Sequence, residues 1–114
     1  MLTVVDMQHG VNYNSHMVQI LETAEFKHWF SSLRDRQAQA RIVVRIRRLQ
    51  EGNAGQSRTL PGGIVELKID FGPGYRVYLT RRGEELVLLL AGGDKSTQQA
   101  DIKLAAILAK EYTQ

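Results

Sequence analysis

The apolar residues of this chain change their period once, near residue 60, and that switch constrains the fold more than any other feature. Up to Gln50 they recur at helical spacing. Phe26, Trp29, Phe30 and Leu33 fall at i, i+3, i+4 and i+7, and Ala38, Ile42, Ile46 and Leu49 mark one face of a second helix. From Ile64 they alternate. Val65, Leu67 and Ile69 interleave with Glu66, Lys68 and Asp70, and after the turn residues Phe71-Gly72-Pro73-Gly74 the set Tyr75, Val77 and Leu79 interleaves with Arg76, Tyr78 and Thr80. Helices and strands that are apolar on one side only must bury those sides against each other.

Local signals extend this frame. Met17–Glu22 reads as a short first strand. Thr23 suits the N-cap of the first helix, with Glu25 in its first turn, and Asp35 suits the cap of a second helix that runs to about Gln50 and ends on Gly52. Gly52–Thr59 is polar and glycine-rich and reads as a loop. Arg81-Arg82-Gly83-Glu84 reads as a turn, and Leu86–Leu90, apolar on both faces, as a central strand. Ser96 with Gln99 fits a capping box for a last helix whose apolar side is Ala100, Leu104, Ile107 and Leu108. The expected order is β-α-α-β-β-β-α. The expected class is α+β: a helical hairpin packed on one face of a small, mostly antiparallel four-stranded sheet. A length of 114 residues suits one domain. Residues 1–16 show no sustained period and are read as an N-terminal extension, either disordered or not native, which leaves a single domain at 17–114.

Composition narrows the chemistry. The chain has no cysteine, which removes disulfides, thiolate metal sites and a cysteine nucleophile. Its longest apolar run, Leu86–Ala91, is far shorter than a membrane span, and a cytoplasmic location is expected. Ten of the fifteen basic residues are arginine, and six of these, Arg34, Arg36, Arg41, Arg45, Arg47 and Arg48, fall within fifteen positions. Such a block fits either an anionic partner or a solvated helix face. The polar side of the hairpin carries Lys68, Arg76 and Tyr78, which suits either a grip on a phosphate backbone or an ordinary wet sheet face. The three histidines, His9, His16 and His28, form no ligand cluster, so no metal and no cofactor are expected. Catalysis on a phosphodiester would then fall to Lys, Arg, Tyr and Asp. RNA suits such a set because its own 2′-OH is the nucleophile, and the protein need only orient it, move protons and stabilise charge.

Four segments carry a resemblance to a known family: Thr23–Trp29, the arginine-rich second helix, Gly62–Tyr78 with its Gly-Pro-Gly-Tyr-Arg-Val-Tyr block, and Gly92-Gly93-Asp94-Lys95 with the three residues after it. Over about 17–112 the chain resembles the RelE/ParE superfamily of type II toxins, and within it the HigB-like addiction module killer proteins. The resemblance implies a metal-independent endoribonuclease that cuts mRNA on the ribosome by 2′-OH attack, and a cognate helix-turn-helix antitoxin as partner. A related branch inhibits DNA gyrase without catalysis, and a basic RNA-binding module without toxicity is a third possibility. Carried over by motif, the candidate catalytic residues are Lys68, Arg76, Asp94 and Lys95. Arg41, Arg45, Arg48, Tyr78, Arg81 and Arg82 are the candidate RNA contacts. Relatives often place His or Tyr where this chain has Asp94-Lys95, and Tyr112 is the tyrosine nearest the end of the chain that could substitute.

Overall fold

The computed structural model describes residues 17–112 and the backbone of residues 2–5. Its strands are β1 (Leu2–Val5), β2 (Gln19–Thr23), β3 (Ser57–Leu60), β4 (Ile64–Ile69), β5 (Tyr75–Arg82) and β6 (Leu86–Gly93). Its helices are α1 (Ala24–Ser32), α2 (Arg36–Gln50) and α3 (Gln98–Glu111), with a short 3-10 turn at Lys95–Thr97. The caps read from sequence form at two of the three helices. Thr23 Oγ1 accepts from the Phe26 N–H at 3.0 Å and donates to the Leu90 carbonyl at 2.6 Å, so one buried hydroxyl starts α1 and ties it to β6. The Asp35 carboxylate accepts from the N–H groups of Gln37 and Ala38 at the start of α2. At the third helix the expected Ser96–Gln99 capping box is absent. Asp94 accepts from Ser96 instead and caps the 3-10 turn.

The expected four-stranded sheet is corrected. Within 17–112 the sheet has five strands in the order β2-β6-β5-β4-β3, and β1 adds a sixth against β2. It is mixed: β2 runs parallel to β6, and every other pairing is antiparallel. The parallel pair follows from connectivity, because two helices and a meander separate its strands. The expected order omits β1, which falls in the expected extension, and β3, which falls in the expected loop Gly52–Thr59. The strand to account for within 17–112 is β3. It is an edge strand whose Ser57, Arg58 and Thr59 are exposed, so it has no apolar alternation to betray it.

Packing on one face only is also corrected. α1 and α2 bury Phe26, Ala38, Ile42, Ile46 and Leu49 against Leu67, Ile69, Val77, Leu79, Val87 and Leu89 on one face. On the other face, α3 buries Ala105, Leu108 and Ala109 against Ile64, Tyr78, Leu88, Leu90 and Ala91. The face of α3 that packs is therefore rotated from the expected one: Ala100 is exposed, and Leu104 and Ile107 are 38% and 56% exposed. The sheet face expected to be wet is half covered.

A bulge in β6 decides where α3 begins. Tyr78 pairs with Ala91 but Leu79 pairs with Leu89, so Leu90 is the extra residue and the facing of the strand end flips. Gly92 then meets the Trp29 ring and Gly93 meets Asp101, each so closely that a β-carbon would overlap the neighbour. Both glycines are required by these approaches. Gly92 admits α1 on one face, and Gly93 brings the first turn of α3 down on the other, which leaves the β3–β4 end of that face open.

Candidate functional site

Two neighbouring rungs of the ladder build the site on the α3 face. In one rung Arg58 on β3, Glu66 on β4 and Tyr78 on β5 stand side by side; in the next, Lys68 pairs with Arg76, which pairs with Gly93. α3 closes the Tyr78 end and contributes Gln98. The result is an open depression of about 460 Å³ lined by Gln56, Ser57, Arg58, Glu66, Lys68, Arg76 and Gln98.

The Lys68–Arg76 rung is cationic, and the acid that acts on Arg76 does so through space: Asp94, past the end of β6. Arg76 is 7% exposed. Its Nη1 donates to the Gly74 carbonyl at 2.6 Å, its buried Nε has no hydrogen-bond partner, and among the described residues no carboxylate lies within ion-pair distance. A buried donor without a partner costs about 1–3 kcal/mol; the Nε atoms of Arg45 and Arg82, whose outer nitrogens hold carbonyls, are in the same state.

The adjacent rung is neutralised. Glu66, 4% exposed, takes one bond on each oxygen: from Arg58 Nε at 2.7 Å and from Gln98 Nε2 at 2.9 Å. Burial opposes its ionisation, but those hydrogen bonds and the Arg58 charge prevail and hold the carboxyl below the usual range. Burial, reinforced by the contact of its hydroxyl with Glu66 and by the Glu66 charge, pushes the Tyr78 phenol well above its ordinary value.

Of the four candidate catalytic residues, Lys68 and Arg76 line the depression together. Asp94 and Lys95 lie just past β6 beside the Gly74 turn. The Asp94 carboxyl is lowered chiefly by a hydrogen bond from the Ser96 hydroxyl and is bound into its cap, while Lys95 is exposed, with its β-carbon against Gly74.

The candidate RNA contacts scatter. Tyr78 is corrected: it is fully buried under α3 and offers no ring to a base. Arg45 spends its guanidinium on the carbonyls of Lys68, Ala54 and Gln56, pinning the loop before β3. Arg82 donates to the carbonyls of Ala109 and Tyr112 and caps the far end of α3, where Tyr112 also lies. Arg81 is exposed at the opposite end of β5 from Arg76. Arg41 and Arg48 stay exposed on α2. They line a separate groove of about 580 Å³ with Val44, Ile69 and Asp70 on the other face of the sheet, and Arg41 stacks on Phe71 at 4.3 Å.

Sequence reasoning missed Arg58, Glu66 and Gln98 as site residues. Glu66 shares its parity with Lys68, and that was the available signal; Arg58 and Gln98 needed the β3 pairing and the placement of α3. Among the described residues, no three His, Asp or Glu side chains are grouped to hold a metal ion, and no helix is long and apolar enough to cross a membrane.

No solved structure matches the chain. An "Uncharacterized protein" of Haemophilus influenzae is 52% identical over 94 residues, covering 82% of this chain and 95% of that protein. Residues 28–113, which span every element from α1 to α3, match the family described as Phage derived protein Gp49-like (DUF891), and the chain therefore belongs to that family of addiction-module toxins related to RelE.

Proposed function

We propose that this protein is the toxin of a type II toxin–antitoxin module, HigB-like within the RelE/ParE superfamily, and that it acts as a metal-independent endoribonuclease on ribosome-bound mRNA in the cytoplasm. A cognate helix-turn-helix antitoxin is its partner. Family membership supports the toxin role and the existence of an antitoxin. The observation that carries the chemistry is the Arg76 guanidinium, buried in an open depression beside Lys68 with no acid paired to it. A phosphodiester is the ligand such a pair fits: Arg76, with Nη1 held by Gly74 and Nε buried, brings a fixed positive charge, and Lys68 brings a point charge beside it.

In the proposed reaction the RNA 2′-oxygen attacks the adjacent phosphorus and the bond to the 5′-oxygen breaks. The 2′-hydroxyl gives up its proton, and the departing 5′-oxygen takes one up. The products are a 2′,3′-cyclic phosphate and a 5′-hydroxyl. Negative charge grows on the non-bridging oxygens, where Arg76 and Lys68 stand. One such contact is worth about 10²–10³ in rate.

The test is brief induction of the wild type and of Arg76→Ala, followed by measurement of translation, DNA supercoiling and RNA 3′ ends. Expected are early arrest of translation and cyclic-phosphate ends that also form with purified protein and programmed ribosomes, all lost in a folded Arg76→Ala variant. Early loss of supercoiling, or a folded Arg76→Ala protein that still arrests growth, would overturn the reading.

A further inference from the structure

We propose that the Arg58–Gln98 end of the depression is a base-recognition subsite, with Glu66 as its positioning residue, and that it selects guanine at the nucleotide beside the cut. This rests on the endoribonuclease reading. The Arg58–Glu66 rung lies two residues along β4 from the Lys68–Arg76 rung, about 7 Å away on the same face. A phosphate held at the second rung therefore places its own nucleotide over the first.

The two ends of the depression differ in what they accept. At the Lys68–Arg76 rung two cations stand side by side with no carboxylate in ion-pair contact among the described residues. At the other end the buried Glu66 carboxylate cancels Arg58 and would repel a second phosphate, so a neutral polar group fits there better than an anion. Glu66 has given one oxygen to Arg58 Nε and the other to Gln98 Nε2. It therefore fixes both side chains and leaves their outer atoms facing the depression they line. Among the described residues, the two terminal nitrogens of Arg58 and the Gln98 carbonyl oxygen have no hydrogen-bond partner. A fixed arginine fork beside an amide oxygen complements guanine, whose O6 and N7 accept from the fork and whose ring and exocyclic N–H groups donate to the oxygen. Adenine keeps N7 but presents an amino group in place of O6. Uracil lacks the paired acceptors, whereas cytosine offers N3 and O2 beside its amino group, so uracil is the pyrimidine that the subsite excludes. The side-chain exposure of Arg58, 57%, leaves it accessible to a base.

The experiment maps cleavage by wild type, Arg58→Ala and Gln98→Ala on programmed ribosomes carrying mRNAs that differ only in the bases flanking one cut site, with thermal melting to confirm that each variant is folded. In wild type, guanine is expected to be favoured over uracil by about tenfold, which one bidentate base contact supplies. Both variants are expected to lose most of that preference, read within each variant as the ratio of cleavage at guanine to cleavage at uracil. Loss of cleavage by the same factor at every sequence would make Arg58 a phosphate contact and overturn the proposal, as would a preference unchanged in both variants. The Arg76→Ala test is separate: cleavage by wild type that depends on Arg76 but not on the flanking base sinks the subsite and leaves the nuclease reading standing, whereas a wild type that cleaves no RNA sinks both.

Discussion

Arg76 Nη1 donates to the Gly74 carbonyl at 2.6 Å, and a β-carbon built on Gly74 would stand 2.9 Å from that same nitrogen. Gly74 also holds φ at +81°, in the left-handed region. The turn thus needs glycine twice: for its backbone angle, and for the room in which the guanidinium folds back over it. Gly74→Ala is expected to cost about 1–2 kcal/mol from the backbone angle alone. The arginine end is flexible and will move aside, so the protein should still fold. Cleavage should fall toward the Arg76→Ala level, by up to about 10²-fold. Melting and a cleavage assay on the same preparation separate the two effects.

The arginines of α2 are expected to sort by partner, although one sequence block contains them all. Arg45→Ala removes charge-assisted bonds to three carbonyls and frees the loop before β3, so it should destabilise by about 2–3 kcal/mol. Arg41→Ala and Arg48→Ala remove exposed groups from the α2 groove. They should leave stability nearly unchanged, and, if that groove holds RNA, each should weaken binding and flatten its salt dependence. Urea denaturation and a salt titration of RNA affinity distinguish the classes.

The same contrast shows what the sequence could and could not convey. Apolar period and cap residues marked both early helices, the β4–β5 hairpin and the doubly buried β6, because each of these buries a patterned face. β3 was silent because an exposed edge strand needs no apolar pattern. The packing face of α3 was misread because Ala105 and Ala109, not the larger Leu104 and Ile107, meet the sheet, where a close approach favours small residues. Lys68 and Arg76 were legible from strand parity. The burial of Tyr78 was not, because parity cannot tell which half of a sheet face a later helix will cover. The domain boundary at residue 17 stays a proposal: β1 pairs with β2 from within the expected extension, and the rest of that segment lies outside the described residues.

Glu66 should give the protein a specific acid sensitivity. Its folded pKa lies below the unfolded value near 4.3, so the ionised form is favoured by folding. The stabilisation is present above that unfolded value and is lost as pH falls through the folded one. Asp94, lowered by its cap, adds in the same sense and the same window. Glu66→Gln keeps the shape of the group but removes the charge, and it should flatten the decline in melting temperature below about pH 4.5 relative to wild type. Equal slopes for the two proteins would show that Glu66 is not held ionised by Arg58 and Gln98.

Lys68 and Lys95 are expected to serve one transition state. Lys68 lines the depression next to Arg76, and Lys95 stands beside the Gly74 turn that shapes the Arg76 guanidinium. A phosphodiester on Arg76 would have Lys68 on one side and the flexible Lys95 side chain within reach on the other. One amine can then supply a proton to the departing 5′-oxygen while the other stabilises charge. Groups that act together in one transition state give non-additive losses, so Lys68→Ala combined with Lys95→Ala should be little worse than the more damaging single variant. Ribosome-programmed cleavage with single and double variants provides the comparison. Multiplicative losses would mean that the two lysines act independently, and an undiminished rate in Lys95→Ala would confine the chemistry to the Lys68–Arg76 rung.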